Sequence, residues 1–330
     1  MLFGPAIRNI QVRYYVDHDN DHRRATFIAG MGRSGTTWLA QLLNFRNDSR
    51  FMFEPFDPMR VAMSVNFGDH TYLRPDDIRR IYLAPARAIV TGLVREWFVD
   101  QHNRKIICPR RIIKDIRVNL FLRWLYQQFP GMPLVLIVRH PFAIAASRAK
   151  TGADVDLEKS FLAQPELVED YLAPFAALMR RCATPFERHV AAWCVEIGIP
   201  LSQFKAGELG VIFYEQLAAR PLVVLPEIFA HIGRPFDRRV ADFVKKPSHT
   251  TLSKSSLTAK WASGSSRVTA AWQESISAVQ IRRGLDVLEA FGLSHIYDDG
   301  AMPKLERPPL GIEWRAGPLS RENLVSPQPP

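Results

Sequence analysis

A chain of 330 residues that is 47% hydrophobic and 23% charged can build one large core or two modest ones, which excludes a fibrous, wholly disordered or disulfide-stapled chain. Lysine and arginine number 43 against 33 aspartates and glutamates; the net charge of +10 favours an anionic partner (a nucleotide, a sulfated or phosphorylated ligand, nucleic acid, an acidic membrane) without choosing among them. The three cysteines, Cys108, Cys182 and Cys194, form no CxxC pair, so neither a structural zinc site nor a disulfide framework is expected and reducing conditions suit the chain.

Residues 1–30 are interrupted by Arg8, Arg13, Asp17, Asp19 and Asp21 and do not read as a signal peptide. The longest apolar runs, near 134–138 and 221–230, are too short or too broken by proline to cross a bilayer core of ~30 Å. The expectation is a cytoplasmic protein without a transmembrane segment, meeting a membrane peripherally at most. Thr26-Phe27-Ile28-Ala29-Gly30 reads as a strand entering a glycine-rich turn, and 36–43 as a helix, with Trp38/Leu42 and Leu39/Leu43 as apolar pairs at helical spacing. Lys105-Ile106-Ile107 and Arg111-Ile112-Ile113-Lys114 read as short strands and 120–128 as a helix. Leu134-Val135-Leu136-Ile137-Val138 has the pattern of a parallel strand covered on both faces. It ends at Arg139-His140-Pro141, where the proline suits the first turn of a helix over 142–150.

Further on, 166–181 and 185–197 carry helical spacing, 209–214 is a buried strand firmest at 211–214, and 222–232 is a helix. Residues 265–291 give a long helical pattern broken or bent near Gly284. The segment 247–266 holds seven serines, three threonines, Lys254 and Lys260, and reads as a polar loop. Residues 301–330 contain seven of the 24 prolines and read as an extended tail. With no linker in evidence, the alternation predicts one α/β domain over 1–300 with a central, mainly parallel sheet, followed by that tail.

The strongest local signal is Gly30-Met31-Gly32-Arg33-Ser34-Gly35-Thr36-Thr37. A strand turning sharply into a helix leaves unpaired N–H groups that, with the helix dipole, hold an anion; the glycines permit close approach and Thr36 and Thr37 add hydroxyl donors. The spacing is that of a phosphate loop, which points to a P-loop-type three-layer fold, but Thr36 stands at the usual lysine position and the positive side chain is Arg33, within the turn. Gly30-x-Gly32-x-x-Gly35 also matches a dinucleotide fingerprint, and Glu54 stands about twenty positions on, where that fold carries an acid. The second anion-binding candidate is Arg139, which the aliphatic strand delivers to the carboxyl edge of the sheet, with Ser147 and Arg148 in the following helix.

Arg33-Ser34-Gly35-Thr36-Thr37-Trp38, with Arg139-His140-Pro141 and Ser147-Arg148, resembles the two cofactor signatures of PAPS-dependent sulfotransferases, nearest the carbohydrate and tyrosyl-protein branches, in which arginine replaces the loop lysine. The likeness is sharp over 24–57 and 134–150 and softer over Phe213-Tyr214-Glu215-Gln216-Leu217. The resemblance implies that Gly32, Arg33, Ser34, Gly35, Thr36 and Thr37 wrap the 5′-phosphosulfate of 3′-phosphoadenylyl sulfate (PAPS), and that Arg139 and Ser147 take its 3′-phosphate. Cytosolic members carry a basic RKGxxG signature where this chain has its polar loop; here Lys254 and Lys260 are the candidates to meet the cofactor.

Sulfuryl transfer to an alcohol needs a base for the hydroxyl proton, positive charge at the departing oxygen and in-line geometry. Arg33 meets the second need and Lys114, at a strand end before Asp115, shares it. Glu54, a charge inside the apolar run Phe51-Met52-Phe53 and before Pro55-Phe56, is the candidate base, and the resemblance places a Glu-Pro pair there. His70 and His102 have no motif around them, and His140 is expected to orient or pack. No metal pattern and no nucleic-acid-binding motif is found. The sequence therefore predicts transfer of a sulfuryl group from PAPS to a hydroxyl of a carbohydrate or glycolipid, leaving PAP. Open at this point are a kinase-like P-loop protein, which needs the loop lysine, a dinucleotide oxidoreductase, and a nucleotide-binding protein without catalysis. The acceptor is expected between 55–130 and 151–205.

Overall fold

Strands that are apolar at consecutive positions need cover on both faces. The computed structural model describes residues 16–17, 19–103, 105–244 and 269–312. Its strands are β1 (Val16–Asp17), β2 (Ala25–Ala29), β3 (Ser49–Phe53), β4 (Ile107–Cys108), β5 (Arg110–Lys114), β6 (Leu134–Val138) and β7 (Gly210–Phe213). β1 and β4 form a short parallel ladder; the others form a parallel sheet in the order β3-β5-β2-β6-β7. The side-chain period of two sends Phe27, Met52, Ile113, Leu136 and Phe213 to one face and Ile28, Phe53, Ile112, Ile137 and Ile212 to the other.

Helices cover both faces. The layer with Ile28 receives α1 (Thr36–Leu43), through Trp38, Leu39, Leu42 and Leu43. The opposite layer receives α2 (Arg80–Val90), α3 (Leu122–Gln128), α4 (Pro141–Ala149) and α5 (Pro185–Gln203), the last started by a capping box between Thr184 and Glu187. After β7 come α6 (Tyr214–Ala219) and α7 (Pro221–His231) on the α1 side, while α8 (Ala278–Ala290) packs against α5. This is the three-layer α/β architecture expected from the alternation of elements.

The strand order removes one alternative. In a dinucleotide fold the strand after the glycine-rich helix lies beside the first strand. Here β5 stands between β2 and β3, and the acid after β3 cannot hold the place that the fingerprint assigns it.

Local differences from the sequence reading have physical causes. β3 was hidden by Arg50 near its start: the side chain is buried, paired with Asp100 at 2.7 Å and bonded to the carbonyls of Gly92 and Val94. Residues 166–181 are not one helix but a chain of wide and tight turns, Val168–Leu172 and Ala173–Phe175, before a short helix at Ala176–Arg181; Pro174 removes a backbone donor. Tyr214 starts α6 rather than ending β7. Gly284 does not break the described helix: α8 runs through it, and a Cβ there would stand 2.4 Å from Phe142 Cε1 and 3.1 Å from Phe186 Cε1. Gly284→Ala should therefore destabilise the fold by about 1–3 kcal/mol, read from denaturant unfolding; an unchanged midpoint would deny the close packing. Lys254, Lys260 and most of the loop and tail containing the serine and proline clusters lie outside the described residues.

Candidate active site

The loop between β2 and α1 is built by its glycines. Gly30 has φ +148° and a Cβ on it would meet the Ile137 carbonyl at 2.7 Å; Gly35, at φ +94°, caps α1 and would drive a Cβ to 2.7 Å from Tyr214 Cδ2. The turn is closed by Ser34 N–H donating to the Met31 carbonyl at 3.1 Å. No side chain caps the start of α1, and Ser34 Oγ is buried without a hydrogen-bond partner. Thr36 and Thr37 occupy the first helical turn, both buried. Such a set of donors awaits an anion.

The second cradle adjoins the first. Arg139 follows β6, donates from Nη1 to the Arg33 carbonyl at 2.7 Å and lies 4.4 Å above the Tyr214 ring; its Nε is buried without a partner. Ser147 Oγ, on α4, accepts from Arg33 Nε at 3.0 Å. Burial, then the charges of Arg139 and Arg148, pull the Arg33 guanidinium below its ordinary value. His140 is a structural residue: its Nδ1 accepts the Phe142 N–H at 3.1 Å, Nε2 meets the Asp298 carbonyl, and burial pulls its pKa down to about 3. Beneath it, Glu215 accepts the His140 N–H at 2.9 Å and the Tyr297 hydroxyl at 2.8 Å.

Across the same sheet edge, register places Phe53 and Ile28 beside Lys114, so Glu54 follows directly. Glu54 Oε1 accepts from Lys114 Nζ, and Oε2 from Arg117 Nη1 at 3.0 Å. Burial drives the Glu54 carboxyl up, but Lys114 and Arg117 outweigh it and leave it below the usual glutamate value. Burial likewise pulls Lys114 down against the opposing pull of Glu54. Asp115 is buried, fixes the turn by accepting from Phe56 N at 2.7 Å and Arg117 N at 3.0 Å, and is pushed by burial up to about 6. Among the described residues, the non-glycine residues with positive φ are Arg33, Asn47 and Glu54, two of them sequence-predicted site residues. Such strain persists where the surroundings demand a particular side-chain direction.

A cleft of about 1010 Å³ opens beyond these groups, with Arg148 and Arg117 in its lining. The rest of its lining comes from 68–82, Ile116 and 154–196, within the segments expected to frame the acceptor. On it Glu196, from α5, accepts from Asn119 Nδ2 at 2.9 Å through Oε2, while Oε1 lies 3.1 Å from His70 Nδ1.

The structure thus brings Gly32, Arg33, Ser34, Gly35, Thr36, Thr37, Arg139 and Ser147 together, with Glu54 and Lys114 paired at the same sheet edge. Sequence reading missed Arg117, which ties Glu54 to Asp57 and Asp69 at 3.0 and 2.7 Å, and Tyr214 as the support under Arg139. Arg117 carried one signal, its place in a turn after a strand that ends in a lysine. Among the described residues no helix is long and apolar enough to cross a membrane, and no three His, Cys, Asp or Glu side chains are grouped as metal ligands would be.

The profile of the Sulfotransferase family matches residues 25–238. Nodulation protein NoeE of Sinorhizobium fredii (strain NBRC 101917 / NGR234) is 27% identical over 221 residues, 63% of this chain and 49% of its own, so the chain spans about half the length of the curated relative it matches. Among solved structures, the sulfotransferase domain of the Synechococcus PCC 7002 olefin synthase aligns with a TM-score of 0.43 at 18% identity, covering 86% of this chain and 98% of that one. Mouse sulfotransferase SULT7A1 complexed with PAP aligns at 0.41 and 14% identity, covering 86% and 87%.

Proposed function

Starting from a chain that belongs to the sulfotransferase family, we propose that it transfers a sulfuryl group from PAPS to a hydroxyl of a carbohydrate or glycolipid acceptor. The observation that carries this reading is the direct contact of the two anion cradles: Arg33 bonds Ser147, and Arg139 bonds the Arg33 backbone. One nucleotide with anionic groups at its 5′ and 3′ positions can meet both. The orphaned Ser34 hydroxyl and Arg139 Nε fit such a group, as does the cluster of Arg33, Arg139 and Arg148 guanidiniums, with which no carboxylate is paired among the described residues. The loop from Gly32 to Thr37 would hold the 5′ side, and Arg139 and Ser147 the 3′-phosphate; Lys254 and Lys260 are proposed to join them.

When bound, PAPS supplies a sulfur that bonds to the acceptor oxygen as its S–O bond to the 5′-phosphate breaks, the electron pair leaving on PAP. Glu54 takes the acceptor's hydroxyl proton on a carboxylate oxygen. Arg33, Lys114 and the loop amides meet the charge on the leaving oxygen. Lys114 and Arg117 hold the Glu54 carboxyl below its ordinary value against the upward push of burial, so it stands ionised to accept that proton. The acceptor class is supported by the polar and charged character of the cleft lining, which includes Asp69, His70, Asp156, Lys159, Gln164 and Glu196.

Thermal shift with PAP, ATP and NAD in parallel, followed by transfer of labelled sulfate from PAPS to a panel of oligosaccharides and glycolipids, tests this. PAP at a hundredfold excess over Kd should stabilise by about 2.7 kcal/mol, with NAD inert. Protection by NAD alone would overturn the donor assignment; PAP binding without transfer to any acceptor or to water would identify a binding protein.

A further inference from the structure

Of the three arginines around the donor loop, Arg148 has no task in the chemistry above. Arg33 donates a hydrogen bond to Ser147, and Arg139 donates one to the loop at the Arg33 carbonyl. Arg148 Nε is instead buried without a hydrogen-bond partner, and among the described residues no carboxylate pairs with this guanidinium. Holding a half-buried guanidinium without a counter-anion is unfavourable unless a ligand brings one.

Its surroundings place Arg148 against the glycine-rich loop and the cleft. A Cβ built on Gly32 would stand 3.2 Å from Arg148 Nη2 and 3.3 Å from Ile116 Cδ1, so both side chains converge on the loop at Gly32. Ile116 is in the turn between Lys114 and Arg117, and Ile116, Arg117 and Arg148 all line the cleft. Consecutive residues of a helix point in different directions. Ser147 therefore meets Arg33 while Arg148 reaches the seam between the donor loop and the acceptor cleft, on the Lys114 side.

We propose that Arg148 binds the sulfuryl oxygens of the donor from the acceptor side, and not the 3′-phosphate beside which its sequence neighbour Ser147 stands. The planar guanidinium presents two parallel N–H groups to two oxygens of one sulfuryl group, which fixes the sulfur's orientation toward an incoming hydroxyl. The inference rests on the reading of PAPS as donor. It assigns to this chain a sulfate-sensing contact separate from the two phosphate cradles.

The test compares two ligands that differ in the sulfuryl group. Calorimetric titration of PAP and of PAPS, without acceptor, is made on the full chain and on Arg148→Met. Loss of the contact should weaken PAPS about tenfold or more while PAP binding stays unchanged. Arg148→Lys, which keeps the charge and loses the fork, should recover part of the PAPS affinity, and Arg148→Gln supplies the same comparison if the methionine variant does not fold. Equal weakening of both ligands would place Arg148 on a phosphate and overturn the proposal, as would no change in either. If the unaltered protein binds neither ligand, the donor reading itself fails, a result distinguishable from failure of the Arg148 contact.

Discussion

Glu54→Gln should lower sulfate transfer by about 10²- to 10⁴-fold and leave PAP affinity unchanged, because it removes a proton acceptor and no part of the donor cradles. The side chain keeps its shape, so Lys114 retains an oxygen to donate to. Arg117 loses one acceptor but keeps Asp57 and Asp69. The pH profile adds a separate readout. Lys114 and Arg117 hold the Glu54 carboxyl below the ordinary glutamate value against the upward push of burial. Transfer by the unaltered protein should therefore persist at neutral pH and fall only in acid, as Glu54 takes up a proton, and the variant's residual rate should lack that acid limb. Stability carries the same sign. A depressed carboxyl contributes stability above its unfolded pKa and loses it as pH falls through the folded one, so the gap in unfolding free energy between the two proteins should narrow in acid. Near-normal turnover in the variant would remove Glu54 as the base and leave it as the partner of Lys114.

What could be read from the sequence was what the backbone itself demands of nearby residues. The turn from β2 into α1 requires glycine at Gly30 and Gly35, and the run from Leu134 to Val138 requires two covered faces, so both anion cradles were visible as local patterns. Lys114 and Glu54 were visible because each is a charge at the end of an apolar run. Their mutual ion pair was not, since it depends on β3 lying beside β5, a pairing between segments 60 residues apart at that contact. Arg50 concealed β3 because a buried charge looks exposed until its partner Asp100 is known. The cleft was assigned to segments but not to side chains: Glu196 enters it from α5 and His70 from a loop, and no periodicity connects them. The break expected at Gly284 is absent for the related reason that a glycine admitting Phe142 and a glycine breaking a helix look alike in one dimension.

Gly35→Ala should impair both stability and PAP binding, because it acts on both cradles through Tyr214. A side chain at φ +94° is strained, by about 1–2 kcal/mol for the left-handed region. The added Cβ also meets Tyr214 Cδ2 at 2.7 Å and Cε2 at 2.9 Å, and overpacking of this kind adds about 1–3 kcal/mol. The Tyr214 ring must move, and it is the surface on which Arg139 lies at 4.4 Å. PAP affinity should thus fall together with unfolding free energy, although Gly35 offers no side chain to any ligand. Gly152→Ala isolates the backbone strain, since Gly152 has φ +68° with nothing within 4 Å of its Cβ position; its loss of stability should be smaller and PAP binding intact. In Gly35→Ala/Tyr214→Ala the clash disappears while the backbone strain and the loss of support under Arg139 remain, so the two substitutions should cost less together than the sum of each alone. Additive costs, or a Gly152→Ala protein as impaired in PAP binding as Gly35→Ala, would show that the contact between Gly35 and Tyr214 does not couple the 5′ side of the site to the 3′ side.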